Sequence, residues 1–224
     1  MHFDEAWYAY ARFNPIYEDH YAMRGSPDDH PEDAPTVFAT HSTHKLLAAL
    51  SQASYIHVRD GRDAIPHDRF NQSYMMHATT SPLYAIIASN DIASAMMDGA
   101  GGTMLTADVI REAVDFRQAV ARMYKRHQAS GDWFFKPWNA EVVKDPNTGK
   151  QHDFADAPAD LLTSEQDCWR LHPDDTWHGF TDLKDNWCML DPIKVSLLTP
   201  GMGDDGKLLD TGVPAELFTA YVTR

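Results

Sequence analysis

Lys45 stands between a polar run, His41-Ser42-Thr43-His44, and an apolar one, Leu46-Leu47-Ala48-Ala49-Leu50. Lysine shifts its pKa readily when desolvated, and as a free amine it attacks carbonyl carbon to form an imine. Ser42 and His44 bring a hydroxyl and an imidazole to the same point of the chain. Alone the string is weak, because lysine is common and ordinarily carries its ammonium out to water. A second segment strengthens it. Phe3-Asp4-Glu5-Ala6-Trp7 sets a carboxylate where an apolar segment ends, followed by a small residue and an indole.

Such a pair is what pyridoxal phosphate chemistry asks of a protein. A carboxylate against the pyridine nitrogen keeps it protonated, so that the ring accepts electrons, and a lysine holds the aldehyde as an imine. Asp4 and Lys45 are 45 − 4 = 41 positions apart. Neighbouring strand ends of an α/β sheet can close that separation, and ligands of such sheets sit at the carboxyl ends of the strands.

The elements that must position these groups are legible on either side. Thr36 to Ala39 reads as a short buried strand and Tyr55 to Arg59 as another, with the Lys45 segment between them. Arg24 to Pro35 is rich in Pro and Asp and has no apolar periodicity, so it reads as an exposed loop. Ser81-Pro82 opens a helix over 83–97, ended by Asp98-Gly99-Ala100-Gly101-Gly102. Those glycines follow a helix and not a strand, which argues against a nucleotide-binding loop. Val109, Ala113, Phe116, Val120 and Met123 step by four, three, four and three, predicting one apolar helix face with Glu112, Arg117, Arg122 and Lys125 turned to water. Residues 133–143 read as extended, 145–150 as a turn, 189–198 as a strand, and Val213 to Val222 as a helix with Pro near its first turn. Strands alternating with helices point to an α/β fold.

The 224 residues, 43% of them hydrophobic, suffice for one large domain or one domain and part of another. A formal charge of −14 disfavours nucleic acid or an anionic membrane as partner and suits a cationic substrate. Protonating all twelve histidines would bring the charge to −14 + 12 = −2, so self-repulsion falls through the histidine range and association is favoured in mild acid. The N-terminal residues lack the basic start and apolar centre of a secretory signal, and a cytoplasmic location is expected. Cys168 and Cys188 have no metal-type spacing, and His41 and His44 lack a third ligand, so no metal is expected. Asp174 and Asp175 read as a solvated loop. Asp4 has three residues before it, where a strand usually runs to about five or six. The last helix reaches Arg224 without a Gly or Asn cap. Both ends are therefore expected to lie inside a larger fold.

The stretches FDEAWYAYARFNPIYEDHYAMRG, TVFATHSTHKLLAALSQASYIHVR, FNQSYMMHATTSPLYAIIASND and LDPIKVSLLTPGM together resemble the bacterial Orn/Lys/Arg decarboxylases, pyridoxal phosphate enzymes of the aspartate-aminotransferase-like fold. The resemblance runs from Phe3 to Val222 and is to the arginine-specific members. It implies an α/β chain that is part of the large cofactor-binding domain of a fold-type I enzyme, with 1–190 the C-terminal portion of that domain and 191–224 a linker and the beginning of the C-terminal domain. It implies that Lys45 holds the cofactor as an imine, that Asp4 pairs with the pyridine nitrogen, that Ala6 and Trp7 lie near the ring, and that Ser42 and His44 contact the cofactor around the lysine. Thr79 in HATTSP would reach the cofactor phosphate of the partner subunit, making a homodimer the smallest active unit. The implied reaction converts L-arginine to agmatine and CO2, with a proton delivered by Lys45 or His44 and consumed at each turnover, in the service of acid resistance, by enzymes that assemble into decamers. Serine and threonine for the phosphate and a histidine stacked on the ring are expected outside this segment, so the chain alone would hold cofactor poorly. Lysine or ornithine as substrate, or a non-catalytic fragment that keeps only part of the site, remain the alternatives. Trp177, His178 and Gly179 match a family stretch but carry no role from the sequence.

Overall fold

Asp4 ends a strand because its own side chain takes the amide two residues on. In the computed structural model, which describes residues 1–203 and 206–223, β1 (His2–Asp4) runs parallel to β2 (Val37–His41), with Asp4 level with Thr40. Ala6 N–H then donates to Asp4 Oδ1 at 3.1 Å, an Asx turn that takes the chain out of the sheet. The strand expected over Thr36 to Ala39 extends to His41 instead. It does so because α1 (Thr43–Leu46), a single helical turn with Lys45 N–H on Ser42 O at 3.0 Å, is followed by β3 (Tyr55–Arg59), whose antiparallel register gives His41 a partner in Tyr55. The order β1-β2-β3 makes β2 the central strand, and its Val37 and Ala39 are buried.

The chain forms two units, Met1–Thr106 and Ala107–Arg224. The first is completed by α2 (His67–Met75) and α3 (Tyr84–Met97). Nothing in the sequence pattern announces α2, because none of its residues is buried and no apolar stripe is needed. α3 lies where its start and stop signals put it. The glycines after it do not form a loop. Asp98, extended, and Gly99, at φ +59°, break the helix, and α4 (Ala100–Ala129) starts at once with Gly101 and Gly102 in its first turn. A Cβ on Gly102 would lie 2.2 Å from the Met97 carbonyl oxygen and 3.1 Å from Phe13 Cδ1, so the two helices can follow so closely only with glycine there. The core of this unit includes Ala9, Ile16, Ala39, Ala53 and Ala93, and Tyr8, Tyr10 and Tyr17 meet edge to face at 5.6 to 5.7 Å.

In the second unit the buried stripe of α4 has the predicted period and keeps Ala113 and Val120 of the expected face, but its centre is shifted by one residue. Ile110, Val114, Arg117 and Ala121 face inward, while Val109 and Phe116 are 44% and 51% exposed. Arg117, expected in water, is fully buried. Its guanidinium donates to the carbonyls of Asp191, Pro192 and Lys194 at 3.2, 3.4 and 2.7 Å and lies 5.4 Å from the Trp169 ring. A charge is tolerated inside because the loop it meets offers three acceptors. The 133–143 segment yields only β4 (Lys136–Pro137) and the start of a hairpin of β5 (Val142–Lys144) and β6 (Gln151–Asp153). The turn at 145–150 forms as expected, with Asp145 accepting from Asn147 N–H and Thr148 Oγ1 and Gly149 at φ +72°. α5 (Ala159–Ser164) follows. Of the strand expected over 189–198, only β7 (Leu197–Leu198) forms, antiparallel to β4. Pro192 lacks the amide a strand would need, and the carbonyls around it serve Arg117 instead. α6 (Ala215–Val222) begins after Pro214, and its expected stop at Arg224 lies outside the described residues.

Candidate active site

The two groups singled out by their chemistry stand at the carboxyl ends of adjacent parallel strands. Asp4 is the last residue of β1, and the turn that carries Lys45 follows the last residue of β2. Both side chains are exposed. Asp4 keeps one oxygen on the Ala6 amide. The Lys45 ammonium rests over the face of Trp7, 5.1 Å from the ring centroid. Amine, carboxylate, indole and the small Ala6 are thereby brought to one sheet end, where a planar aldehyde with a basic ring nitrogen would find an amine for its carbonyl and a carboxylate for its nitrogen. The donor set fits pyridoxal phosphate.

The turn around Lys45 is held from three sides. Thr43, almost completely buried, donates from Oγ1 to Asn90 Oδ1 at 2.5 Å, and Asn90 Nδ2 donates to Ser54 O at 3.4 Å. His44 places Nδ1 2.8 Å from Ala53 O. A carbonyl can only accept, so Nδ1 carries a hydrogen, which leaves Nε2 as the ring nitrogen able to take or give up a proton. His41 Nε2 meets Glu5 Oε2 at 2.8 Å, and Glu5 Oε1 accepts from Ala22 N–H at 2.7 Å. His41 packs against His57, ring centroids 4.7 Å apart. Burial, and then His41, hold His57 below the ordinary histidine range, partly offset by Glu5. Ser42 is half-buried, caps α1 without a side-chain hydrogen bond, and accepts the Lys45 amide through its carbonyl.

Thr79 stands apart from this group. It is exposed in the bend after α2, and its Oγ1 accepts from Ser81 N–H at 3.1 Å. Glu5, Thr43, Asn90 and Ala53 are the residues that sequence reasoning missed. Glu5 had one available signal: it follows Asp4 where side chains alternate between faces, so an outward Asp4 turns Glu5 inward, where a carboxylate needs donors. His41 and His44 spend ring nitrogens on Glu5 and Ala53 O. Among the described residues no group of three or more His, Cys, Asp or Glu could hold a metal ion.

In the second unit the Trp177-His178-Gly179 stretch is a locked turn. His178 Nδ1 accepts from Phe180 N–H at 3.0 Å, so Nε2 carries the proton it shares with His172 O, also at 3.0 Å. Gly179 is at φ +70°. Asp175 accepts from Trp177 Nε1 at 3.1 Å, so only Asp174 is the solvated acid expected of this loop.

The fold is α/β, and it brings an amine and a carboxylate to the carboxyl ends of two adjacent parallel strands. A profile described as Orn/Lys/Arg decarboxylase, major domain, matches residues 1–224, and the chain belongs to that family. It is 72% identical over 224 residues to the biodegradative arginine decarboxylase of Escherichia coli strain K12, covering 100% of this chain and 29% of that protein. It is 44% identical over 223 residues to the lysine decarboxylase LdcA of Pseudomonas aeruginosa, covering 99% of this chain and 27% of the relative. The solved structure of lysine decarboxylase A from Pseudomonas aeruginosa superposes with a TM-score of 0.79 at 43% identity, over 99% of this chain and 27% of that one. The chain thus spans little more than a quarter of the length of these relatives. No helix among the described residues is long and apolar enough to cross a membrane.

Proposed function

We propose that this chain carries the lysine and the ring-nitrogen carboxylate of a pyridoxal phosphate-dependent L-arginine decarboxylase, which yields agmatine and CO2 and consumes one proton per turnover. The observation that carries the reading is Lys45 over Trp7, beside Asp4, at the ends of two hydrogen-bonded parallel strands. Arginine is favoured over lysine by 72% identity to an arginine decarboxylase against 44% to a lysine decarboxylase, over nearly the same residues.

Bound there, pyridoxal phosphate supplies the electron sink for the pair left when the α-carboxylate departs as CO2. Lys45 would hold the cofactor through its amine and, when its amine is free, could return a proton to the α-carbon. Asp4 would hold the ring nitrogen in its charged form through the oxygen that Ala6 leaves open. Trp7 and Ala6 would border the ring. His44, with Nδ1 fixed on Ala53 O, offers Nε2 as the second group able to carry that proton. Ser42 borders the turn and would contact the cofactor beside Lys45.

The same reading takes Thr79 to the phosphate of a partner subunit's cofactor, which fits its exposure and its distance in the chain from the Lys45 turn. A homodimer is then the working unit, with decamers, a cytoplasmic location and a role in acid resistance following from the family. It also takes 191–224 as a linker and the beginning of a C-terminal domain. The test is CO2 release from L-arginine, L-lysine and L-ornithine by the full-length protein that carries residues 1–224. Release from arginine well above the other two, lost in Lys45→Ala, supports the proposal. Equal rates on all three, or a fully active Lys45→Ala, contradict it.

A further inference from the structure

Nothing in the reading above uses Glu5 and His41, yet they link the two strands that carry its chemistry. We propose that the Glu5–His41 pair is a positioning strut that sets the Lys45 turn relative to Asp4, an inference that rests on the cofactor reading.

The backbone ladder between β1 and β2 ends with Asp4 level with Thr40 and one further bond, Glu5 N–H to Thr40 O at 3.0 Å. Beyond it the chains part, one into the turn at Ala6 and the other into α1. Glu5 Oε2 and His41 Nε2, 2.8 Å apart, join them past that point. Glu5 is the neighbour of Asp4, and His41 lies four positions before Lys45. Glu5 is buried, its side chain 9% exposed, and its second oxygen is held by Ala22 N–H at 2.7 Å, so it has no freedom to follow a drifting histidine. His57 backs the His41 ring from β3. The other fixings of the turn, Thr43 to Asn90 and His44 to Ala53 O, tie it to α3 and to the segment before β3, away from β1. The Glu5–His41 pair is therefore the buried link that refers the Lys45 turn to the strand of Asp4, beside the exposed contacts of Lys45 with Trp7 at 5.1 Å and of His2 Nε2 with Thr40 Oγ1 at 3.3 Å. A displacement of about 1 Å between such groups costs on the order of a hundredfold in rate.

The experiment compares wild type, Glu5→Ala, Glu5→Gln and His41→Gln, each first checked for a cooperative melt. Hydrogen exchange of peptides covering 41–47 reads the turn without cofactor. Pyridoxal phosphate is then added and the carbon–nitrogen double bond formed on lysine is reduced with borohydride, whose hydride goes to carbon, and peptide mass spectrometry ranks Lys45 against the other lysines. We expect exchange over 41–47 to rise on the order of tenfold in Glu5→Ala, with trapping at Lys45 falling by a similar factor. Glu5→Gln should restore most of both, since its amide oxygen still accepts from Ala22. His41→Gln, which keeps a donor toward Glu5, covers the case in which Glu5→Ala does not fold, and should retain part of the trapping at Lys45. Wild-type exchange over 41–47 in Glu5→Ala overturns the strut. So does trapping at Lys45 that is undiminished in Glu5→Ala, or for a non-folding Glu5→Ala undiminished in His41→Gln, and either result leaves the cofactor reading standing. Wild-type chain in which Lys45 is trapped no faster than other lysines overturns the cofactor reading itself, and exchange then decides the strut alone.

Discussion

Lys45 Nζ lies 5.1 Å from the centroid of the Trp7 ring, so the amine proposed as nucleophile is steered by an aromatic face three residues past the proposed ring-nitrogen carboxylate. An exposed cation–π contact contributes about 0.5–1 kcal/mol. That energy stabilises the ammonium, which does not attack a carbonyl, so Trp7→Leu should raise the rate at which Lys45 is trapped by pyridoxal phosphate and borohydride by about two- to fivefold. Trp7→Phe should change it less, because a smaller ring keeps a face under the ammonium.

Arg117 holds the second unit together from inside its longest helix. Arg117→Met leaves three carbonyls of the 191–194 loop without their donor, while keeping much of the side-chain volume. We expect a loss of about 3–5 kcal/mol in urea unfolding. Arg117→Lys should recover only part of it, because one ammonium cannot spread over three carbonyls as a guanidinium does.

Comparing these two sites shows what the residues announced and what they hid. Lys45, Asp4 and the strand at Tyr55 to Arg59 were legible because amine, carboxylate and β-branched runs are local signals. The period of α4 was legible too, and with it the burial of Ala113 and Val120, but the centre of the buried face was not. Val109 and Phe116 are apolar and outside, and Arg117 is charged and inside, because the loop at 191–194 supplies acceptors from far along the chain. Glu5 and Asn90 escaped for the same reason: each matters through a partner 36 or 47 positions away, His41 and Thr43. α2 escaped because an exposed helix needs no apolar stripe.

His57 should titrate below the ordinary histidine value of 6.5, chiefly from burial and then from His41. With its folded pKa lowered, the unfolded chain binds more protons near that value. Stability therefore falls as pH drops through about 6.5 and recovers above it. NMR titration of the His57 ring checks the shift, and His57→Asn should flatten the pH dependence of the melting temperature in that window.

The two thiols should separate cleanly. Burial, with Asp167, Glu165 and Asp145 nearby, pushes the Cys168 thiol up to about 12, whereas Cys188 is exposed. Iodoacetamide at pH 8 should alkylate Cys188 and spare Cys168 until the chain is unfolded, as read by peptide mass spectrometry.

The most direct measurement of the Asp4–Lys45 site is the visible absorbance of pyridoxal phosphate bound to the full-length protein in wild type, Lys45→Ala and Asp4→Asn. A cofactor held by Lys45 gives a band that disappears in Lys45→Ala and persists, altered in position or pH dependence, in Asp4→Asn. The same spectrum in wild type and Lys45→Ala would contradict the site.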